Sequence, residues 1–206
     1  RWMLRTLIHV VFIGMLDTSF MEVRSMRISV IGAGRVAYHF AKVLSEQHRI
    51  VQFYSRTFEK TRMLAQHVNA VAVQHLTELD STVDLVVIAV SDQSIASVIE
   101  QVHPYLKDNL IVHTSGSTHL NVLEQVHVRS GVLYPLQTFS VEREVDWINT
   151  PLFIEVSDVA DQKTLTDLAK QLSQHVYVYS SSQRLSLHLA AVFACNFSNY
   201  CYDMAK

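Results

Sequence analysis

Between residues 27 and 180 the hydrophobic period switches back and forth between strand and helix, and no other feature limits the possible folds so strongly. RISVI (27–31), IVQFYS (50–55), AVAVQ (70–74), LIVHTS (110–115), GVLYPL (131–136), PLFIEV (151–156) and VYVYS (176–180) read as strands. Between them, helical stripes fall at 37–47, 58–68, 118–126 and 161–173, and SIASVIEQVHPYL adds another. VDLVVIAV (83–90) shows no alternation, which is the pattern of a central parallel strand buried on both faces. Strands interleaved with helices of this length predict βαβ units and a Rossmann-like, doubly wound, mostly parallel α/β sheet.

Composition agrees with a packed domain and narrows the possible partners. Hydrophobic residues make up 49% of the 206 and charged residues 17%, which excludes a disordered or low-complexity chain. The formal net charge is −2 and no basic stripe is interleaved with aromatics, so nucleic acid is not an expected partner. Cys195 and Cys201 are six residues apart on a predicted helix and point to different faces, so we expect free thiols, a reducing environment and a cytoplasmic location. The histidines are scattered without ligand spacing, and no metal is expected.

The ends differ from the middle. Residues 7–16 form a ten-residue apolar run, too short to span a bilayer and without a small-residue cleavage site, so no membrane association is expected. We expect residues 1–25 to be an N-terminal extension outside the fold, residues 26–180 to form the nucleotide-binding domain, and residues 181–206 to begin a truncated helical domain.

The chain has only five glycines, and two stand in GAGRVA, between the first strand and the first helix. Here Gly32 permits the tight turn, Gly34 lets backbone approach a pyrophosphate, and Ala37 takes the third glycine's place where helix meets strand. Phosphate would sit on the helix N-terminus, along Gly32, Ala33, Gly34, Arg35 and Val36. The end of the second strand should discriminate between dinucleotides. An NAD site usually carries an acid there, whereas this chain has Ser55, Arg56 and Thr57, so NADP(H) is the expected cofactor with Arg56 and Ser55 on its 2′-phosphate. Polar residues close three further strands, and Ser91, Asp92, Thr114 and Ser115 are expected beside the nicotinamide and substrate.

GAGRVA, SRT, VVIAVSD, HTSGS, GVLYPLQTFS and HLAAVFACNFSNY together resemble bacterial oxidoreductases that join a Rossmann NAD(P)-binding domain to a helical C-terminal domain of unknown function. The likeness runs from about residue 26 to 206. More distantly, the layout is similar to pyrroline-5-carboxylate reductases, ketopantoate reductases and hydroxyisobutyrate-type dehydrogenases, in which a long helix after the Rossmann domain carries a polar residue to the nicotinamide. The resemblance implies NADP-dependent hydride transfer to or from a small carbonyl or imine. The alternative is a non-catalytic NADP(H)-binding regulatory or scaffold protein. By analogy, a homodimer would form through further C-terminal helices.

On that last helix, His188, Cys195 and Asn199 recur within about 20° of one face. Imidazole titrates near neutrality, so His188 is the expected proton donor, with Asn199 and Ser115 as further catalytic candidates. Related dehydrogenases often use Lys in such a role, and no Lys precedes Lys206 in this helix.

Overall fold

The computed structural model describes residues 25–106, 108–140 and 142–205. The expectation for the N-terminal extension therefore falls, apart from Ser25, outside the described residues. The order is β1 (Arg27–Ile31), α1 (Arg35–Leu44), β2 (Arg49–Tyr54), α2 (Phe58–His67), β3 (Val71–Val73), β4 (Leu85–Ile88) and α3 (Asp92–Val102). It continues with β5 (Leu110–His113), α4 (Asn121–Glu124), β6 (Ser130–Pro135), β7 (Leu152–Val156), α5 (Val159–Leu172), β8 (Val176–Val178) and α6 (Ser181–Met204).

The eight strands form one sheet in the order β3-β2-β1-β4-β5-β6-β7-β8. All neighbouring pairs are parallel except β6 and β7, which run antiparallel. The sheet is thus the doubly wound α/β sheet that the alternating pattern predicts. Strand order reverses between β1 and β4, and in open α/β sheets such a reversal opens a crevice at the carboxyl ends of the strands.

Both faces of the sheet are covered. Val87 joins Phe40, Leu44, Leu165 and Leu168 on the side of α1 and α5, while Val86 and Ile88 join Ile95, Ile99 and Val102 of α3 on the other. This two-sided burial is why 83–90 shows no polar alternation. Each such side chain contributes about 1.5–3 kcal/mol when taken fully from water. A third cluster of Leu120, Val132, Tyr134 and Phe153 receives Leu187 from α6. Farther along α6, Leu189, Phe193, Phe197 and Tyr200 are exposed. No helix among the described residues is long and apolar enough to cross a membrane.

Some element boundaries differ from the sequence reading for local reasons. The helix expected over 118–126 shrinks to Asn121–Glu124. Two side chains compete for its first donors: Ser115 Oγ accepts from Thr118 N–H at 2.9 Å, and His119 Nδ1 accepts from Asn121 N–H at 3.2 Å. Helix α5 starts earlier than expected because the Asp158 carboxylate caps it, accepting from Ala160 N–H at 2.9 Å. Helix α6 begins at a capping box, in which Gln183 Oε1 accepts from Ser180 N–H and Ser180 Oγ accepts from Gln183 N–H.

Candidate functional site

At the reversal point the turn after β1 is held on both sides. Gly32 N–H donates to Tyr54 O at 2.8 Å, and Ala89 N–H donates to Ile31 O at 2.8 Å. Gly32 has φ +133°, and a Cβ built on it would stand 2.1 Å from Ala89 O. No side chain fits there, and L-residues avoid that backbone region. Gly34 has a different role. It is the N-cap of α1 in extended conformation, and a Cβ on it would meet nothing within 4 Å.

The N-terminus of α1 is therefore open to an incoming group. The first helical bond runs from Tyr38 N–H to Gly34 O at 3.0 Å, so the N–H groups of Arg35 and Val36 have no partner inside the helix. Among the described residues no side chain caps this helix end, and no acid stands in its first turn. Unpaired donors and the positive end of the helix dipole favour an anion at this point. Ala37 is fully buried where α1 meets the sheet.

Beside this turn lies a cleft of about 430 Å³. Gly32, Ala33, Gly34, Ser55, Arg56, Thr57 and Ser91 line it together, along with Lys60, Gln93 and Ser94. Arg56 and Lys60 are both exposed, and among the described residues no carboxylate lines the cleft. Lys60 was absent from the sequence reading, although its place four residues after Arg56, in the first turn of α2, could have shown it. Ser55 Oγ is engaged locally, 2.6 Å from Thr61 Oγ1 and 3.1 Å from Thr57 O, which braces the loop carrying Arg56. Ser91 Oγ likewise pairs with Ser94 Oγ at 2.8 Å.

Other expected residues lie outside the cleft lining. Val36 packs its side chain toward the core, leaving only its backbone at the helix N-terminus, and the Arg35 side chain is exposed. Asp92 accepts a hydrogen bond from Ser117 Oγ, tying the loop after β4 to the loop after β5. Thr114 and Ser115 are buried. Ser115 Oγ accepts from the N–H groups of Ser117 and Thr118, so its hydroxyl organises the turn.

A second polar cluster forms one strand farther along, where β5, β6 and α6 converge. His188 Nδ1 is 2.9 Å from Tyr134 Oη, and the two rings meet edge to face with centroids 5.7 Å apart. A Cβ on Gly116 would come within 2.6 Å of both His188 Nδ1 and Tyr134 Cζ, so this glycine makes room for the pair. Burial pushes the Tyr134 phenol up to about 12. The neighbouring His113 is fully buried; burial, and secondarily the Arg184 guanidinium, push its imidazole down to about 3. Neutral His113 accepts from Ser115 N–H at 3.1 Å through Nδ1. Asn199 lies farther along α6, with its side chain outside the described residues.

Helix α6 is anchored by Arg184, whose side chain is 1% exposed. It donates to Glu155 Oε2 at 2.5 Å and to Thr118 O at 2.6 Å, and Glu155 also accepts from the Ser181 hydroxyl and N–H. The sequence reading missed this anchor because its partners come from β7, from the loop after β5 and from α6.

Comparison with known proteins agrees with this architecture. Residues 27–116 match the family described as NADP oxidoreductase, coenzyme F420-dependent, and residues 150–206 match the domain of unknown function DUF2520. A "putative NADP oxidoreductase" from Bacteroides fragilis is 42% identical with a TM-score of 0.83, over 89% of this chain and 72% of that one. A Thermotoga maritima protein is 23% identical with a TM-score of 0.66, over 84% of this chain and 65% of that one. Pyrroline-5-carboxylate reductase from Coxiella burnetii is 18% identical with a TM-score of 0.68, over 88% of this chain and 69% of that one. The last two carry the fold alone. No curated protein matches the chain. The match along both regions and the 42% identity establish that this chain belongs to the NADP oxidoreductase family in which an F420-dependent-type oxidoreductase domain is followed by DUF2520.

Proposed function

We propose that this chain binds NADP(H) in the cleft at the β1/β4 reversal and serves hydride transfer to or from a small carbonyl or imine substrate. The observation that carries the cofactor reading is the cleft lining, which sets two cations, Arg56 just after β2 and Lys60 in the first turn of α2, and among the described residues contains no carboxylate. An acid at that position would accept from the ribose hydroxyls of NAD and repel a 2′-phosphate. The guanidinium of Arg56 offers a fork of donors to the phosphate, and Lys60 adds a second positive charge. The open helix end at Gly34, with the free N–H groups of Arg35 and Val36, fits the pyrophosphate.

The bound dinucleotide supplies the hydride, and the chain's own residues supply orientation and electrostatics. His188 is the residue we assign to the substrate, donating a proton or hydrogen bond to the atom that gains electron density. Ser115 has no part in this assignment, because its hydroxyl is buried and engaged with the turn. The carbonyl or imine class draws on the fold neighbours, one of which is a pyrroline-5-carboxylate reductase. We set the boundary between the nucleotide unit and the helical unit where β8 gives way to α6.

Titrating NADPH and NADH into the protein and into its Arg56→Ala variant tests the cofactor reading. Loss of a charge-assisted contact of about 1.5–3 kcal/mol predicts NADPH binding roughly 10–100-fold weaker, with NADH nearly unchanged. Equal losses for both dinucleotides would exclude Arg56 as the 2′-phosphate residue.

A further inference from the structure

The geometry points to Tyr134 as a positioning residue that holds His188 in the tautomer protonated on Nε2, by donating its phenolic hydrogen to Nδ1. This inference rests on the reading that His188 serves the substrate and deepens it, because it names which ring nitrogen is presented.

Three elements converge to make the contact. Tyr134 is 8% exposed on β6, His188 comes from α6 across 54 residues of sequence, and Gly116 after β5 leaves the space both rings need. Of the ring nitrogens, Nδ1 is the one within hydrogen-bonding distance of Tyr134, at 2.9 Å. A phenol can donate or accept, but its buried position holds Tyr134 protonated far above neutrality, so it has a hydrogen to give. Among the described residues, no other hydrogen bond involves the Tyr134 hydroxyl, so Nδ1 is the acceptor to which that hydrogen can go. Nδ1 is then occupied as an acceptor, and the ring's own hydrogen must sit on Nε2. A ring whose hydrogen alternated between the two nitrogens would offer Nε2 as a donor only part of the time. The phenol's hydrogen bond removes that alternation before substrate arrives.

The cluster is coupled to the cofactor cleft through the backbone. His113 pairs with Ile88 across β5 and β4, and Thr114 N–H donates to Ile88 O at 3.3 Å, just before the Val90–Ser91 edge that lines the cleft. Ser117 donates to Asp92 between the same two loops. Tyr134 on β6 is therefore separated from β4 by β5 alone, and the loop after β5 brings Gly116 against both rings of the pair.

Long-range ¹H–¹⁵N spectra of the histidine-labelled protein, recorded where imidazole is neutral, test the inference directly. The expected His188 pattern is a single tautomer, with Nδ1 unprotonated and Nε2 protonated, even without cofactor. In Tyr134→Phe, the two nitrogen shifts should collapse toward a common averaged value while the remaining histidines keep theirs. An averaged or Nδ1-protonated His188 in the wild-type protein would overturn the proposal, as would an unchanged pattern in Tyr134→Phe. Should Tyr134→Phe fold poorly, Gly116→Ala offers a second route, since its Cβ must displace one ring from the other and should produce the same averaging. Adding NADPH tests the underlying reading separately. If the His188 signals do not move on NADPH binding, the role at the nicotinamide fails while the tautomer assignment stands.

Discussion

The cleft at β1 and β4 and the cluster at β6 and α6 are built by different means. The first is made largely of backbone and short loops: a glycine turn, a helix end and the residues immediately after β2 and β4. The second is made of side chains that meet across long separations, such as Tyr134 with His188 and Arg184 with Thr118, 66 residues apart. A site formed from backbone tolerates change in its surroundings but not at its glycines. A site formed from side chains depends on every element that supports it.

The largest expected effect falls on the side-chain region. Arg184→Ala strands Glu155, a side chain only 18% exposed, without its guanidinium. Removing one partner of a buried ion pair typically costs about 3–5 kcal/mol, and urea unfolding should show a loss of that size. If the two regions are built as described, NADPH affinity extrapolated to native conditions should barely change. A loss well under 1 kcal/mol would mean that α6 is held by its apolar contacts rather than by this pair.

Next in size is the contrast between the two glycines of the turn. Gly32→Ala forces a Cβ against Ala89 O at positive φ and should cost roughly 3 kcal/mol in thermal or chemical unfolding, with NADPH binding lost. Gly34→Ala meets open space, so the fold should change by less than about 1 kcal/mol while NADPH binding weakens. Similar stability losses for both would contradict the division of labour between them.

The last effect is absent at neutral pH and emerges only on acidification. His113 has its imidazole depressed from 6.5 to about 3 in the folded chain, so between those values the unfolded chain binds the extra proton. Stability should therefore rise with pH across that window, with His113 contributing a slope approaching about 1.4 kcal/mol per unit, and should be fully present above it. His113→Asn keeps an acceptor for Ser115 N–H and removes the titration. Its unfolding free energy should fall less steeply on acidification than that of the wild type, and parallel slopes would show that His113 does not set the acid sensitivity.

The same contrast explains which features could be read in advance. The alternating pattern led to the sheet because period-two and helical stripes follow directly from which faces are buried. Gly32, Gly34, Ser55, Arg56 and Ser91 could be placed on one cleft because each follows a parallel strand, and parallel strands deliver their carboxyl ends to the same edge. Lys60 was missed as a cation on a helix that looked like an ordinary exposed face. The contacts of Ser115 were not legible, because a hydroxyl after a strand looks the same whether it faces ligand or caps a turn, and only the placement of Ser117 and Thr118 shows the turn contacts.

Sequence alone thus determined the α/β order, the glycine turn and the absence of an acid between β2 and α2, since each depends on local backbone preference or on residues adjacent in the chain. Tertiary structure decided the rest: that Arg184 is buried against Glu155, that Gly116 yields its space to two rings, and that His188 meets Tyr134. Those contacts arise from the relative placement of β5, β6, β7 and α6, which is set by packing summed over the whole sheet. No pattern of neighbouring residues records that placement, so the side-chain partners became visible only once the elements were in position.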